Sequence, residues 1–194
     1  MANPTERETS LAMSLQDREV ATVVWESIIC AILALSAFLG NAVLCLSLYK
    51  TKGFRAPQNY YITSLAITDM LFGALCMSLS LGVLIKGRWA YGPTLCQLQG
   101  SLIFIAVVAS VLTMTLIAIN RYFKICKSIN VYRKLYNRKN ILLSIAFTWI
   151  CSIAIVVVEF SFSNRPFRFH PGKFLCFLDI AQGHGVYLYT ICTH

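Results

Sequence analysis

LTMTLIAINRYFKICKSI, residues 112–129, changes character halfway along. Leu112 to Ile119 is apolar enough to sit in hydrocarbon. At Asn120-Arg121-Tyr122 the stretch turns polar, and by Lys124 and Lys127 it is basic. An apolar run that stops on an arginine between an amide and a phenol reads as the end of a membrane span. The rest of the chain decides which end.

The 194 residues are 57% hydrophobic and 13% charged, with a mean hydropathy of +0.66. A soluble domain carries about 25% charged residues and about 45–50% apolar ones. The net charge of +9 does not point to nucleic acid, because the cations cluster between apolar runs instead of lining one polar face. Four runs are long enough to cross a bilayer: residues 23–48, 60–85, 98–124 (uncharged up to Ile119) and 141–160. Backbone in hydrocarbon must satisfy its own hydrogen bonds, so all four are expected to be helices. A fifth apolar run begins at about residue 184–186 and stops with the chain at His194. Residues 1–22 form a polar tail without the apolar core of a signal peptide.

Lysine and arginine set the orientation. Lys50, Lys52 and Arg55 follow the first run, and Arg121, Lys124, Lys127, Arg133, Lys134, Arg138 and Lys139 follow the third. The positive-inside bias places both loops in the cytoplasm and the N-terminus outside. Residue 121 is then at the cytoplasmic end of the third helix.

Asp69 lies inside the second run. A carboxylate there costs about 2.5–3.5 kcal/mol on insertion scales, so it should face the bundle with a partner. It reads as a cation or proton site, or as a hydrogen-bonding hub; Asn41 and Ser110 are candidate neighbours. Cys96 and Cys176 fall on the outer, oxidising side, where a disulfide between them would tie the loop after the fourth helix to the top of the third. Arg121 alone reads as a snorkelling anchor. Phe123, Ile125 and Ile129 among the cations also suit a docking surface, an apolar plug inside a basic rim. No G-x-S-x-G, H-E-x-x-H or P-loop is present, no Cys/His cluster has zinc spacing, and no catalytic or metal centre is expected.

Several residues in order resemble one family, the rhodopsin-like (class A) G-protein-coupled receptors. "GNAVL" at 40–44 is similar to the first-helix G-N motif and "SLAITD" at 64–69 to the second-helix L-A-x-x-D motif. Trp89 and Cys96 resemble the first outer-loop tryptophan and the third-helix cysteine. Asn120-Arg121-Tyr122 stands where the family usually has D-R-Y. Trp149 matches the fourth-helix tryptophan and Cys176 the outer-loop half-cystine. "AINRYFKICKSI" and "LYNRKN" look most like melatonin-type members, whereas Val156 to Glu159 occupies a region where that subgroup usually has a proline. Tetraspanin-like scaffolds would require a C-C-G motif in a large last outer loop, which is not there.

The resemblance implies an all-α integral membrane bundle, the first four and a half helices of a seven-transmembrane receptor in the plasma membrane. It implies a small-molecule or peptide ligand outside and a heterotrimeric G protein inside. Asp69, Asn41 and Ser110 would belong to a sodium-binding, state-coupling network. Asn120, Arg121, Tyr122 and Ile129 would engage the G protein. Ile103 and Gln182 would line the ligand pocket, and Ile103 stands where amine receptors place an aspartate. The C-W-x-P and N-P-x-x-Y motifs of the sixth and seventh helices fall beyond these residues. Two expectations follow: a receptor fragment, or a truncated isoform that does not signal and regulates full-length receptors.

Overall fold

The structure is a computed structural model that describes residues 4–50, 57–162 and 166–178. Helix α1 (Pro4–Gln16) precedes α2 (Val20–Lys50). Helix α3 (Pro57–Leu71) runs through a π-helical turn, Phe72–Met77, into α4 (Ser78–Lys86). Then come α5 (Gly92–Cys126), α6 (Ile129–Leu135) and α7 (Arg138–Phe162). A hairpin closes the order: β1 (Phe167–His170), a 3-10 turn (Pro171–Lys173) and β2 (Leu175–Leu178).

Four helices are long and apolar enough to cross a membrane: Val20–Lys50, Gln58–Lys86, Gly92–Cys126 and Arg138–Ser161. These are the four expected runs, each extended by a few polar residues at its ends. Helix α5 begins at Gly92 and not at residue 98, because Pro93 occupies the first turn, where its missing N–H has no intrahelical partner to lose. At α7 the Asn137 Oδ1 accepts the Asn140 N–H at 2.9 Å, an N-terminal cap. Three elements were not expected. Part of the tail, Pro4–Gln16, is helical; the loop after α5 contains α6; and the outer loop after α7 is a β-hairpin. The start of the fifth helix and Gln182 lie outside the described residues.

Helix α5 is the axis. It touches α3, α7, the π turn, α6 and both strands. Helix α2 has no buried residue and lies along α3 and α4, its apolar sides open to lipid. Two polar contacts join α3 to α7: Trp149 Nε1–H donates to Ser64 Oγ at 3.2 Å, and the Tyr61 and Ser144 hydroxyls pair at 2.9 Å. Contacts of this kind between membrane helices contribute about 0.6–2 kcal/mol each.

The π turn widens the backbone spiral. Gln99 reaches it. Its Nε2 donates to the Cys76 carbonyl at 3.0 Å and to Ser80 Oγ at 3.2 Å, while its Oε1 accepts the Cys176 N–H at 2.9 Å. Gln97 makes a second clamp, donating to the Phe167 carbonyl at 2.6 Å and accepting the Phe167 N–H at 3.2 Å. The Phe167 ring rests on Gly100, where a Cβ would lie 2.5 Å from it, so only glycine fits. Phe167, Leu178 and Val156 form a buried cluster, flanked by Phe104, Ile105 and Phe177. The expected Cys96–Cys176 disulfide is formed, with Cα atoms 5.3 Å apart.

Gln99→Leu keeps the bulk but removes the hydrogen bonds to the Cys76 carbonyl and the Cys176 amide. With the net contribution of each bond about 0.5–1.5 kcal/mol, stability should fall by about 1–3 kcal/mol. Thermal unfolding of the detergent-solubilised chain measures this, and an unchanged midpoint would contradict it.

Candidate functional site

The C-terminal end of α5 carries the seam read in the sequence, Asn120 to Tyr122. Asn120 is fully buried. Its Nδ2 lies 3.4 Å from the Tyr132 hydroxyl on α6, a long hydrogen bond, and its Oδ1 is buried without a hydrogen-bond partner among the described residues. Arg121 and Tyr122 point outward and are exposed. No carboxylate pairs with Arg121 among the described residues.

Past Cys126 the backbone turns extended at Lys127 and re-enters a helix at Ile129. Helix α6 has seven residues, too few to be stable alone in water. Aromatic contacts hold it. Tyr132 and Tyr136 stack with centroids 5.0 Å apart, and Tyr136 meets Phe123 of α5 at 6.0 Å. Burial, and then the neighbouring Tyr61 and Tyr132, push the Tyr136 phenol above the usual tyrosine range, so it stays neutral. Asn140 Nδ2 donates to the Leu135 carbonyl at 2.9 Å and fixes the turn into α7.

This clamp leaves Ile125 and Ile129 81% and 60% exposed on a stretch that also exposes Arg121, Lys124 and Lys127. Residues 121–140 include seven cations and no acid. The arrangement is an apolar pair within a basic rim, which can take an apolar segment carrying negative charge. The aromatic clamp was not read from the sequence. The spacing of Phe123, Tyr132 and Tyr136 is its only trace, and only the turn at Lys127 brings them together.

The mid-span polar residues are less assembled than expected. Asn41 Nδ2 donates to the Ala37 carbonyl of its own helix at 2.8 Å, and no hydrogen bond joins Asn41, Asp69 and Ser110 among the described residues. Asp69 is half-buried. No group of three His, Cys, Asp or Glu side chains able to hold a metal occurs among the described residues. Asp69 is the single carboxylate of the three, and no hydrogen bond gathers Asn41 or Ser110 to it among the described residues. Ile103 of α5 is buried, 5% exposed. Trp89 Nε1–H donates to the Gly92 carbonyl at 2.7 Å and its ring lies 5.9 Å from Phe169.

Replacing Tyr136 by Ala removes the centre of the aromatic clamp. Amide exchange across Ile129–Leu135 should then rise by about ten-fold or more while α5 stays protected. Hydrogen-exchange mass spectrometry reads this, and unchanged exchange would show that the aromatics do not hold α6.

Comparison with known proteins places these features in context. Residues 40–194 match the family model "7 transmembrane receptor (rhodopsin family)". The chain is 35% identical over 122 residues to melatonin receptor type 1C of Gallus gallus, which covers 63% of this chain and 35% of that receptor. It is 34% identical over 134 residues to 5-hydroxytryptamine receptor 1B of Vulpes vulpes (69% and 34%), and 35% identical over 119 residues to melatonin receptor type 1A of Ovis aries (61% and 32%). The chain spans about a third of the length of these relatives.

Proposed function

The chain belongs to the rhodopsin family of seven-transmembrane receptors, and from that premise we propose that it relays an outer ligand signal to a heterotrimeric G protein through the cytoplasmic end of α5. It is a multi-pass membrane protein. The proposal places it in the plasma membrane with its N-terminus outside.

One observation carries the reading. Ile125, Ile129 and Arg121 stand exposed, Arg121 without a carboxylate partner among the described residues, on a segment held by Asn120, Tyr132 and Tyr136. Arg121 and Tyr122 engage the partner's helix, and Ile129 inserts as the plug. Full burial of one such side chain contributes about 1.5–3 kcal/mol. The basic rim steers an acidic partner and supplies approach rate more than affinity.

The same surface sets the resting state. A carboxylate at position 120 would pair with Arg121 and hold it back. Asn120 offers a neutral amide, so the clasp on Arg121 is weak and basal coupling is high. On the outer side, Ile103 provides no carboxylate for an ammonium group. A melatonin-like ligand therefore suits α5 better than the amine that the 5-hydroxytryptamine receptors are named for. Asp69, with Asn41 and Ser110, is assigned to state coupling within the span. A sodium ion there would draw its remaining donors from other residues.

Nucleotide exchange on a purified heterotrimer, driven by a seven-helix receptor carrying this segment, tests the reading. Arg121→Ala should lower exchange by about ten-fold or more, as loss of an interface hot spot does. Undiminished exchange would remove the role given to Arg121. Asn120→Asp should lower ligand-free exchange by about two- to five-fold, the effect of an ion pair contributing about 0.5–1 kcal/mol. No fall with aspartate would contradict the weak clasp.

A further inference from the structure

The outer face holds an assembly that the signalling reading does not use. Helix α1 has 13 residues and is polar over most of its surface. A helix of that length is marginal in water on its own. One stripe of it is docked: Glu8, Leu11 and Leu15, spaced three and four apart and so on one face. Leu15 is 5% exposed. Leu11 Cδ1 lies 3.5 Å from where a Cβ would stand on Gly172 in the hairpin turn. Glu8 Oε1 lies 3.7 Å from His170 Nδ1 on β1.

The linker to α2 contains Arg18, and this side chain reaches four elements. Its Nε donates to the Leu15 carbonyl at 3.3 Å, at the end of α1. Its Nη1 pairs with Glu26 of α2, and its Nη2 donates to the Leu84 carbonyl of α4 at 2.8 Å. The guanidinium also sits 5.4 Å from the ring centroid of Phe174 in the hairpin. Phe174 has φ +56°, the only non-glycine residue with positive φ among the described residues. Such a conformation persists where surrounding contacts over-determine it. Gly87 forms the seat. It caps α4 at φ +65°, and a Cβ there would lie 3.1 Å from the Leu15 carbonyl.

We propose that residues 4–18 are a hinged cap over the outer end of the bundle, latched shut by Arg18, and that the latch restrains the outer hairpin at its turn. The strands are otherwise fastened mainly to α5, by Cys96–Cys176, Gln97 and Gln99, with Phe167 and Leu178 packed on Val156 of α7 and Phe169 near Trp89. Docked, α1 joins the hairpin turn to α2 and α4. Released, α1 loses the contacts that keep it helical, and the turn gains freedom while the strands stay clamped. The device therefore has two states, and Arg18 is a positioning residue that biases them.

Hydrogen-exchange mass spectrometry of the chain in lipid nanodiscs tests this without reference to any ligand or G protein. The α1 amides should be protected in the parent chain. Arg18→Gln should speed exchange over α1 and over Gly172–Phe174 by about ten-fold or more, leaving α5 and the paired strands unchanged. Gly87→Ala should do the same through a different atom. Joining Leu11→Cys to Gly172→Cys with a short bismaleimide should restore protection in the Arg18→Gln background. Exchange of α1 at free-peptide rates in the parent would overturn the proposal. So would unchanged α1 exchange in Gly87→Ala together with unchanged exchange in Arg18→Gln. Should Arg18→Gln lose α5 protection and so prove misfolded, Gly87→Ala alone decides.

Discussion

Gln99 makes the contact on which the outer half of this molecule depends. Backbone inside a bilayer has no water to fall back on, so polar groups beside an irregular turn are best satisfied within the chain. The Gln99 amide gives its N–H to the Cys76 carbonyl and, with its other atom, accepts the Cys176 amide of the hairpin. One side chain thus satisfies a helix irregularity and fixes a loop. The disulfide, Gln97 and the seat of Phe167 on Gly100 lie within one and a half turns of it on the same helix. The outer hairpin is an outgrowth of α5 more than of α7, the helix that precedes it in the chain.

At the other end of α5 the chemistry is reversed. Asn120 is buried with an oxygen unpartnered, and the next residue, Arg121, is exposed. A buried polar atom left without a partner costs about 1–3 kcal/mol. The stiff outer half and this under-satisfied inner end share one continuous helix.

The sequence made the spans legible because hydrocarbon imposes a blunt requirement: about twenty apolar residues, helical throughout. The Cys96–Cys176 disulfide was legible for the related reason that redox state differs across a membrane. What escaped was held by tertiary contact. Helix α1 has a polar composition and is helical where Leu15, Leu11 and Arg18 dock it. Helix α6 exists through Tyr132, Tyr136 and Phe123. The hairpin residues carry no turn signal stronger than Pro171-Gly172, and their pairing rests on glutamines of a distant helix. The hydrogen bond pictured between Asn41 and Asp69 is not made, because Asn41 finds the Ala37 carbonyl of its own helix nearer to hand.

The central claim is that the surface around Ile125 and Ile129 receives a G protein. Photo-crosslinking reads this most directly. A photoreactive residue placed at Ile129, in a seven-helix receptor carrying this segment, is irradiated with purified heterotrimer in nanodiscs. The account predicts capture of the Gα subunit from Ile129 and none from the lipid-facing Phe147. Capture of lipid alone from Ile129, with Gα absent, would contradict it.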